Sequence, residues 1–273
     1  MSSALEKAMS VLEFMVTRPE GCAVSDIAAG LGLPPSGVHR MLKELEKIGY
    51  VRQRRDMGDY ELTVRLAALG LSWLGQTGIP DVAEPILDAL AHRAQELARL
   101  ALADGGALMH VSAVQGVRRG LRYDPGLDQG EPLHLASSAG GQAWLAAMDD
   151  DDALAAALGQ GLVKPEAPGP EAPRSAAELL EILRGVRARG WARNANSYHD
   201  GMAAMAAVIR RPEGVADAGA PVGVVSLAGP SVRFTPERME ALAPDLLDAA
   251  EELGQASRAT SWFCRGAERA RAG

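Results

Sequence analysis

Five histidines, His39, His92, His110, His134 and His199, are the residues with which this chain could hold a metal or move a proton. None stands in HxH or HExxH spacing, and the adjacent pair His199-Asp200 supplies only two donors, so neither a metal site nor a cofactor is expected. Ser137-Ser138-Ala139-Gly140-Gly141 is rich in hydroxyls but lacks the G-x-S-x-G elbow that exposes a nucleophilic serine. No glycine-rich loop runs into Lys-Ser/Thr, which argues against nucleotide hydrolysis. Cys22 and Cys264 make neither a disulfide framework nor a thiolate zinc site. No catalytic residue, and hence no enzyme, is expected. What remains is charge. Positions 36–55 hold six basic residues (Arg40, Lys43, Lys47, Arg52, Arg54, Arg55) against two acidic ones, on a 273-residue chain of net charge −7. A basic head on an acidic body fits phosphate recognition.

The elements that must carry this charge are short and helical. Ser3-Ala4-Leu5-Glu6 has capping-box spacing, and Leu5, Ala8, Met9, Leu12, Met15 and Val16 then recur at helical period until Pro19-Glu20-Gly21. A second helix is expected from Ser25 as N-cap, with Ile27, Ala28 and Leu31 inward and a stop at Gly32. A third runs from Pro35-Ser36 to Gly49 with Val38, Met41, Leu42, Leu45 and Ile48 as its buried stripe. Ser36, Gly37, His39, Arg40 and Lys43 lie on its other face. Helix, short helix, glycine turn and helix is the layout that offers the last helix to the major groove. Tyr50–Gln53 and Tyr60–Leu62 read as two strands around a turn at Arg54–Asp59, a basic wing able to lay Arg52, Arg54 and Arg55 along phosphates. Leu62, Leu66, Leu69 and Trp73 form a further amphipathic stripe that Gly75 to Pro80 is expected to break.

From Asp81 a longer helix leads into alternating apolar segments. Leu100–Ala103 and Ala107–Val111 pair around Asp104-Gly105-Gly106, and Leu121-Arg122-Tyr123 is a possible third strand. Helices are expected at 138–148, 153–158 and 176–189, and strands at 191–194, 205–209 and 222–227. A last helix is capped by Thr235 with Pro236 at its first position. The order gives an α+β fold with one central antiparallel sheet. Four prolines between Lys164 and Arg174 (Pro165, Pro168, Pro170, Pro173) read as a surface loop. With no run of 18 apolar residues and no leader pattern at Met1-Ser2-Ser3, no membrane association and a cytoplasmic location are expected.

The runs Ala4–Leu12, Val24–Ala28, Gly32–Leu42 and Leu45–Val51 together resemble the opening of IclR-type transcriptional regulators. Pro132–Ala143, Arg189–Ala192, Gly201 and Val224–Pro230 resemble that family's second domain more thinly. The resemblance implies three parts. They are a winged helix-turn-helix DNA-binding domain at 1–62, a linker helix at 63–79 and a GAF-like effector domain at 80–273. It implies double-stranded operator DNA, a small organic effector (a carboxylic acid is the leading expectation) and a second copy as partners, in a homodimer or dimer of dimers joined through the linker. DNA contact is expected from Ser25, Ser36, Gly37, His39, Arg40, Lys43, Arg52, Arg54 and Arg55; Gly37 departs from the hydroxyl residue the family usually carries there. The effector is expected between the helix entered at Ser137-Ser138-Ala139 and strands bearing Asn194, Ala204, Ser226 and Ala228. Free helix amides would meet a carboxylate there, and Met109 and Leu121 would line an apolar wall. Because Asn194, Ala204 and Ala228 replace more polar family residues, the pocket is expected to be less polar and roomier. The alternative function is a GAF-like sensor or interaction protein without a specific operator.

Overall fold

The computed structural model describes residues 3–54, 58–104, 106–117, 119–123, 132–164, 168–215 and 217–259. Arg55 with the wing tip at Asp56-Met57, Gly105, Pro165 and Cys264 lie outside them. The chain divides into two compact units, Met1–Gln76 and Thr77–Gly273.

In the first unit, helices α1 (Ala4–Val16), α2 (Val24–Leu31) and α3 (Pro35–Lys47) pack with the hairpin of β1 (Val51–Gln53) and β2 (Tyr60–Leu62). The Ser3/Glu6 capping box forms as the sequence predicts. The stripe of α1 is rotated from expectation: Val11, Leu12 and Met15 are buried, whereas Leu5, Met9 and Val16 are exposed. Ser25 is not the cap of α2. Cys22 exchanges backbone hydrogen bonds with Tyr60, which keeps the chain extended until Ala23, and Ala23 becomes the N-cap with no side-chain bond. Gly32 closes α2 in the left-handed region (φ 61°), where a β-carbon is strained. On α3, Val38, Leu42 and Leu45 are buried but Ile48 is exposed. Tyr60, fully buried, sits in the core of this unit with Met15, Ile27 and Leu42. Helix α4 (Arg65–Thr77) ends inside the stretch expected to break it, where Gly78 takes a left-handed turn (φ 69°), and none of its residues is buried.

In the second unit α5 (Ile79–Ala94) feeds a five-stranded antiparallel sheet ordered β4-β3-β7-β6-β5. The strands are β3 (Leu97–Asp104), β4 (Ala107–Gln115), β5 (Ala192–Ala195), β6 (Met202–Arg210) and β7 (Pro221–Pro230). One face, with Leu100, Leu102, Met205 and Val225, packs on α5 and α9 (Pro236–Ala256). The other, with Ala101, Leu108, Ala204 and Val224, packs on α6 (Ala139–Ala146), α7 (Asp150–Gln160) and α8 (Ala176–Arg189). A strand buried on both faces loses its alternating pattern, which is why β3 up to Asp104 reads as a run of Leu and Ala interrupted by Arg99 alone. Between Leu100/Ala101 the pairing with β4 shifts by one residue, so that Ser112 and His110 are successive partners and Val111 is extra.

Leu121-Arg122-Tyr123 is not a strand. Its backbone is held by side chains: the Arg233 guanidinium donates to the Leu121 carbonyl, and Gln115 Nε2 donates to that of Tyr123 at 3.0 Å. Arg233 also grips Glu96, itself 1% exposed, through Nε–Oε1 at 2.7 Å and Nη2–Oε2 at 2.8 Å. Arg238 Nη1 stands 3.5 Å from the same carboxylate, so the buried Glu96 charge is shared between two arginines. No helix among the described residues is long and apolar enough to cross a membrane.

Candidate functional site

The exposed end of α3 is set by proline. Pro34 occupies the N-cap and Pro35 the first helical position, so no side chain caps the first amides. Ser36, His39 and Arg40 are exposed, and Gly37 and Lys43 are half-buried. Arg40 makes no hydrogen bond or ion pair with any described residue, whereas Lys43 is fixed. Its Nζ lies 2.9 Å from Glu46 Oε2 and donates to Gln53 Oε1 at 3.0 Å, 5.5 Å over the Tyr60 ring. Glu46 also accepts from the Gln53 amide at 3.2 Å, so α3 and the wing are stitched together. The Lys43 hydrogen bond holds the Glu46 carboxyl below its ordinary pKa and raises that of Lys43 in turn.

On the wing, Arg52 and Arg54 share the two carboxylate oxygens of Glu61, Arg54 Nε at 2.7 Å. Their hydrogen bonds, that of Arg52 foremost, push the Glu61 pKa down. The basic excess counted over 36–55 is thus largely matched in space, partly by an acid six positions past the counted window. Lys47 is likewise paired with Glu44 at 2.6 Å. Ser25 stands exposed in the first turn of α2, its Oγ 3.4 Å from Asp26 Oδ1.

The second candidate site is a small cavity of about 20 Å³ between the sheet and the start of α6, enough for roughly one water. Ser138, Ala139, Asn194, Ala204 and Ser226 of the expected residues line it. Ser137 does not. It is fully buried, its carbonyl accepts from Asn194 Nδ2 at 3.0 Å and Ser197 Oγ at 2.9 Å, and its Oγ lies 2.8 Å from His134 Nδ1. It positions the turn into α6. Ser138 caps α6, accepting from the Gly141 amide at 3.0 Å. Gly141 has no room for a side chain there, because a β-carbon would come within 2.3 Å of the Leu135 carbonyl. His134 is buried, and desolvation with the nearby Lys164 charge pushes its imidazole below the usual pKa.

Three other expected residues miss the cavity. Leu121 is 64% exposed elsewhere, and Ala228 is buried one pair further along β7. Met109 is paired with Leu102 and so stands on the opposite face of the sheet. Its place is taken by His110, partner of Ala101, and beside it comes Arg99, whose partner is Ser226. Pro132, Leu133, Gly140, Tyr198 and Met202 complete the lining. The cavity is therefore narrower and more polar than expected, because β3 and β4 deliver a guanidinium and an imidazole that composition alone does not place. Among the described residues, no group of three His, Cys, Asp or Glu is arranged to hold a metal.

Comparison with known proteins matches both units. The family model described as the IclR helix-turn-helix domain covers residues 4–55, and that of the bacterial transcriptional regulator IclR C-terminal domain covers 71–255. The HTH-type transcriptional repressor AllR of Escherichia coli (strain K12) is 24% identical over 255 residues, spanning 93% of this chain and 90% of AllR. The crystal structure of Thermotoga maritima IclR superposes with a TM-score of 0.68 at 26% identity, over 92% of this chain and 97% of that one. An IclR homologue from Microbacterium hydrocarbonoxydans, complexed with 4-hydroxybenzoate, shares the fold with a TM-score of 0.70 at 22% identity, over 94% and 100%.

Proposed function

The chain belongs to the IclR family of bacterial DNA-binding transcriptional regulators, and from that premise we propose that it is a cytoplasmic repressor released by a small organic acid. We assign 1–62 to DNA binding, 63–79 to the linker and 80–273 to effector binding. The observation that carries the assignment is the pairing, in one chain, of an uncapped, exposed α3 beside a cationic wing with a sheet domain that encloses a polar cavity. Repression is supported by the name of the AllR relative, and an organic acid by the ligand of the Microbacterium homologue.

Arg40 is the base reader. Arginine on a recognition helix can pair bidentately with guanine, a contact worth roughly 1–3 kcal/mol of discrimination. Ser25, Ser36, Gly37, His39 and Lys43 meet the duplex around it, and Arg52, Arg54 and Arg55 meet phosphates. The protein acts as a homodimer or dimer of dimers, since two-fold assemblies read pseudo-palindromes. The supporting feature is α4, where Leu69 and Trp73 are 51% and 47% exposed.

Gel-shift titration against the intergenic DNA upstream of its own gene tests the proposal, with wild type and Arg40→Ala side by side. Wild type is expected to prefer that DNA over random duplex, and Arg40→Ala to lose the preference while keeping non-specific binding. Equal affinity of wild type for both DNAs would favour the sensor or interaction module instead.

A further inference from the structure

Gln53 closes β1 and is exposed, yet its side-chain amide meets three separate parts of the N-terminal unit. Its Oε1 accepts from Lys43 Nζ on α3 at 3.0 Å and from the Tyr60 hydroxyl on β2 at 3.2 Å. Its Nε2 donates to the carbonyl of Gly58, past the last rung of the β1–β2 ladder, at 3.0 Å. An ammonium and a phenol both donate to Oε1, so the amide has one orientation and Nε2 must face the hairpin loop. Tyr60 is fully buried, and a buried phenol holds firmly to the partner that its hydroxyl finds. Beneath the side chain, the Gln53 backbone amide donates to Glu46 Oε1 at 3.2 Å, and the same carboxylate takes Lys43 at 2.9 Å. The Arg54 amide then closes the hairpin on the Asp59 carbonyl at 2.8 Å.

We propose that Gln53 is a positioning residue that determines specificity. It fixes the wing against α3, and so fixes the span between the base edge read by Arg40 and the phosphates met by Arg52 and Arg54. Base contacts carry the sequence information, while phosphate contacts set the register in which it is read. A helix and a wing held at one spacing accept only duplexes whose shape brings both sets of contacts into place together. A wing that swings free loosens that demand. Gln53 is neutral and touches no base; it acts through Lys43, Tyr60 and Gly58. The proposal rests on the regulator reading above and adds to it the residue that joins its two DNA-contacting parts.

The test compares full-length wild type with Gln53→Met, which keeps the length and the charge of the side chain but loses its bonds to Lys43, Tyr60 and Gly58. Hydrogen exchange in the free protein comes first. The Arg54 amide is expected to exchange roughly threefold faster or more in the variant, the worth of one net hydrogen bond, with the amides of α1 and α2 unchanged. Lys43→Met cuts the same tie from the helix side. It is expected to loosen the same amide, and the double variant to exchange no faster than Gln53→Met. Each protein then selects from a pool of random duplexes. Wild type is expected to enrich a sequence, and Gln53→Met to lose roughly tenfold of the preference for it, about one base-reading contact. Affinity for random duplex and its salt slope are expected to match wild type, since no charge has been removed. Unchanged exchange at Arg54, full preference retained by Gln53→Met, or parallel loss of specific and random binding overturns the proposal. Wild type that enriches no sequence removes the regulator reading and with it the specificity role. Exchange at Arg54 then still separates a wing held by Gln53 from one that is not.

Discussion

Replacing Glu61 by glutamine is expected to make the protein bind DNA more tightly at low salt. In the wild type one carboxylate occupies both Arg52 and Arg54, so the base of the wing offers two guanidiniums with a net charge of one. Glutamine keeps the shape and one acceptor oxygen but frees the second charge for a phosphate. Each phosphate neutralised on duplex DNA adds about 0.9 to the slope of log affinity against log salt. One extra contact therefore predicts a slope steeper by about one unit. On going from 0.2 to 0.05 M salt, that fourfold dilution corresponds to roughly a 3.5-fold greater rise in affinity than the wild type shows. The assay is fluorescence anisotropy on a random 30-base-pair duplex at four salt concentrations, so no knowledge of the operator is required. The melting temperature is expected to change little, because glutamine keeps an acceptor for the two arginines and both guanidiniums already stand largely in solvent. Parallel salt lines for the two proteins would refute the reasoning and mean that Arg52 and Arg54 do not face phosphates.

Gly37→Ala is expected to stabilise the N-terminal unit by about 0.5–1 kcal/mol, since a β-carbon there meets nothing within 4 Å and alanine is the better helix former. Urea unfolding of the fragment-length signal from this unit checks it, and a loss of stability would contradict the open space. His134 is held below its unfolded pKa, so the folded chain takes up a proton less readily than the unfolded one. Its contribution to stability is therefore present above pH 6.5 and lost as the pH falls below it; His134→Gln is expected to flatten the acid side of the stability profile between pH 7.5 and 5.5. Light scattering is expected to return a multiple of the single-chain mass for wild type and a lower multiple for Trp73→Glu. A wild-type value of one chain would remove α4 as an interface.

The helices were legible because their ends are written locally. Ser3 with Glu6, Pro35 and Thr235 each sit where their type satisfies or avoids a terminal amide. Faces were harder to read. Leu5 and Met9 have helical spacing, but α1 turns Val11 inward instead, and period alone cannot choose between two adjacent apolar stripes. Ser138, Ala139, Asn194, Ala204 and Ser226, which line the cavity, were named through family resemblance, yet Arg99 was invisible to it and to periodicity. On a strand buried on both sides, a lone arginine between alanine and leucine gives no sign of which side it takes. Met109 turns away for a sharper reason: continued unbroken, the Leu97–Leu100 pairing would set it opposite Ala103 on the cavity face, and the extra residue at Val111 moves it opposite Leu102 on the other.

That single extra residue has an evolutionary reading. Because strand side chains alternate, a slip of β4 that closed the bulge while keeping Val111, with the hairpin turn taking up the offset, would set Val111 opposite Ala101 and turn His110 off the cavity face. The cavity wall would lose its imidazole with no residue exchanged, while β3 and its partner β7 stay as they are. The event falls on β4, an edge strand, where the ladder has a neighbour on one side only and can absorb a slip. Divergence in what this cavity accepts can therefore proceed by slips of register at this edge, not only by substitution. Ligand class would then be poorly tracked by overall sequence identity.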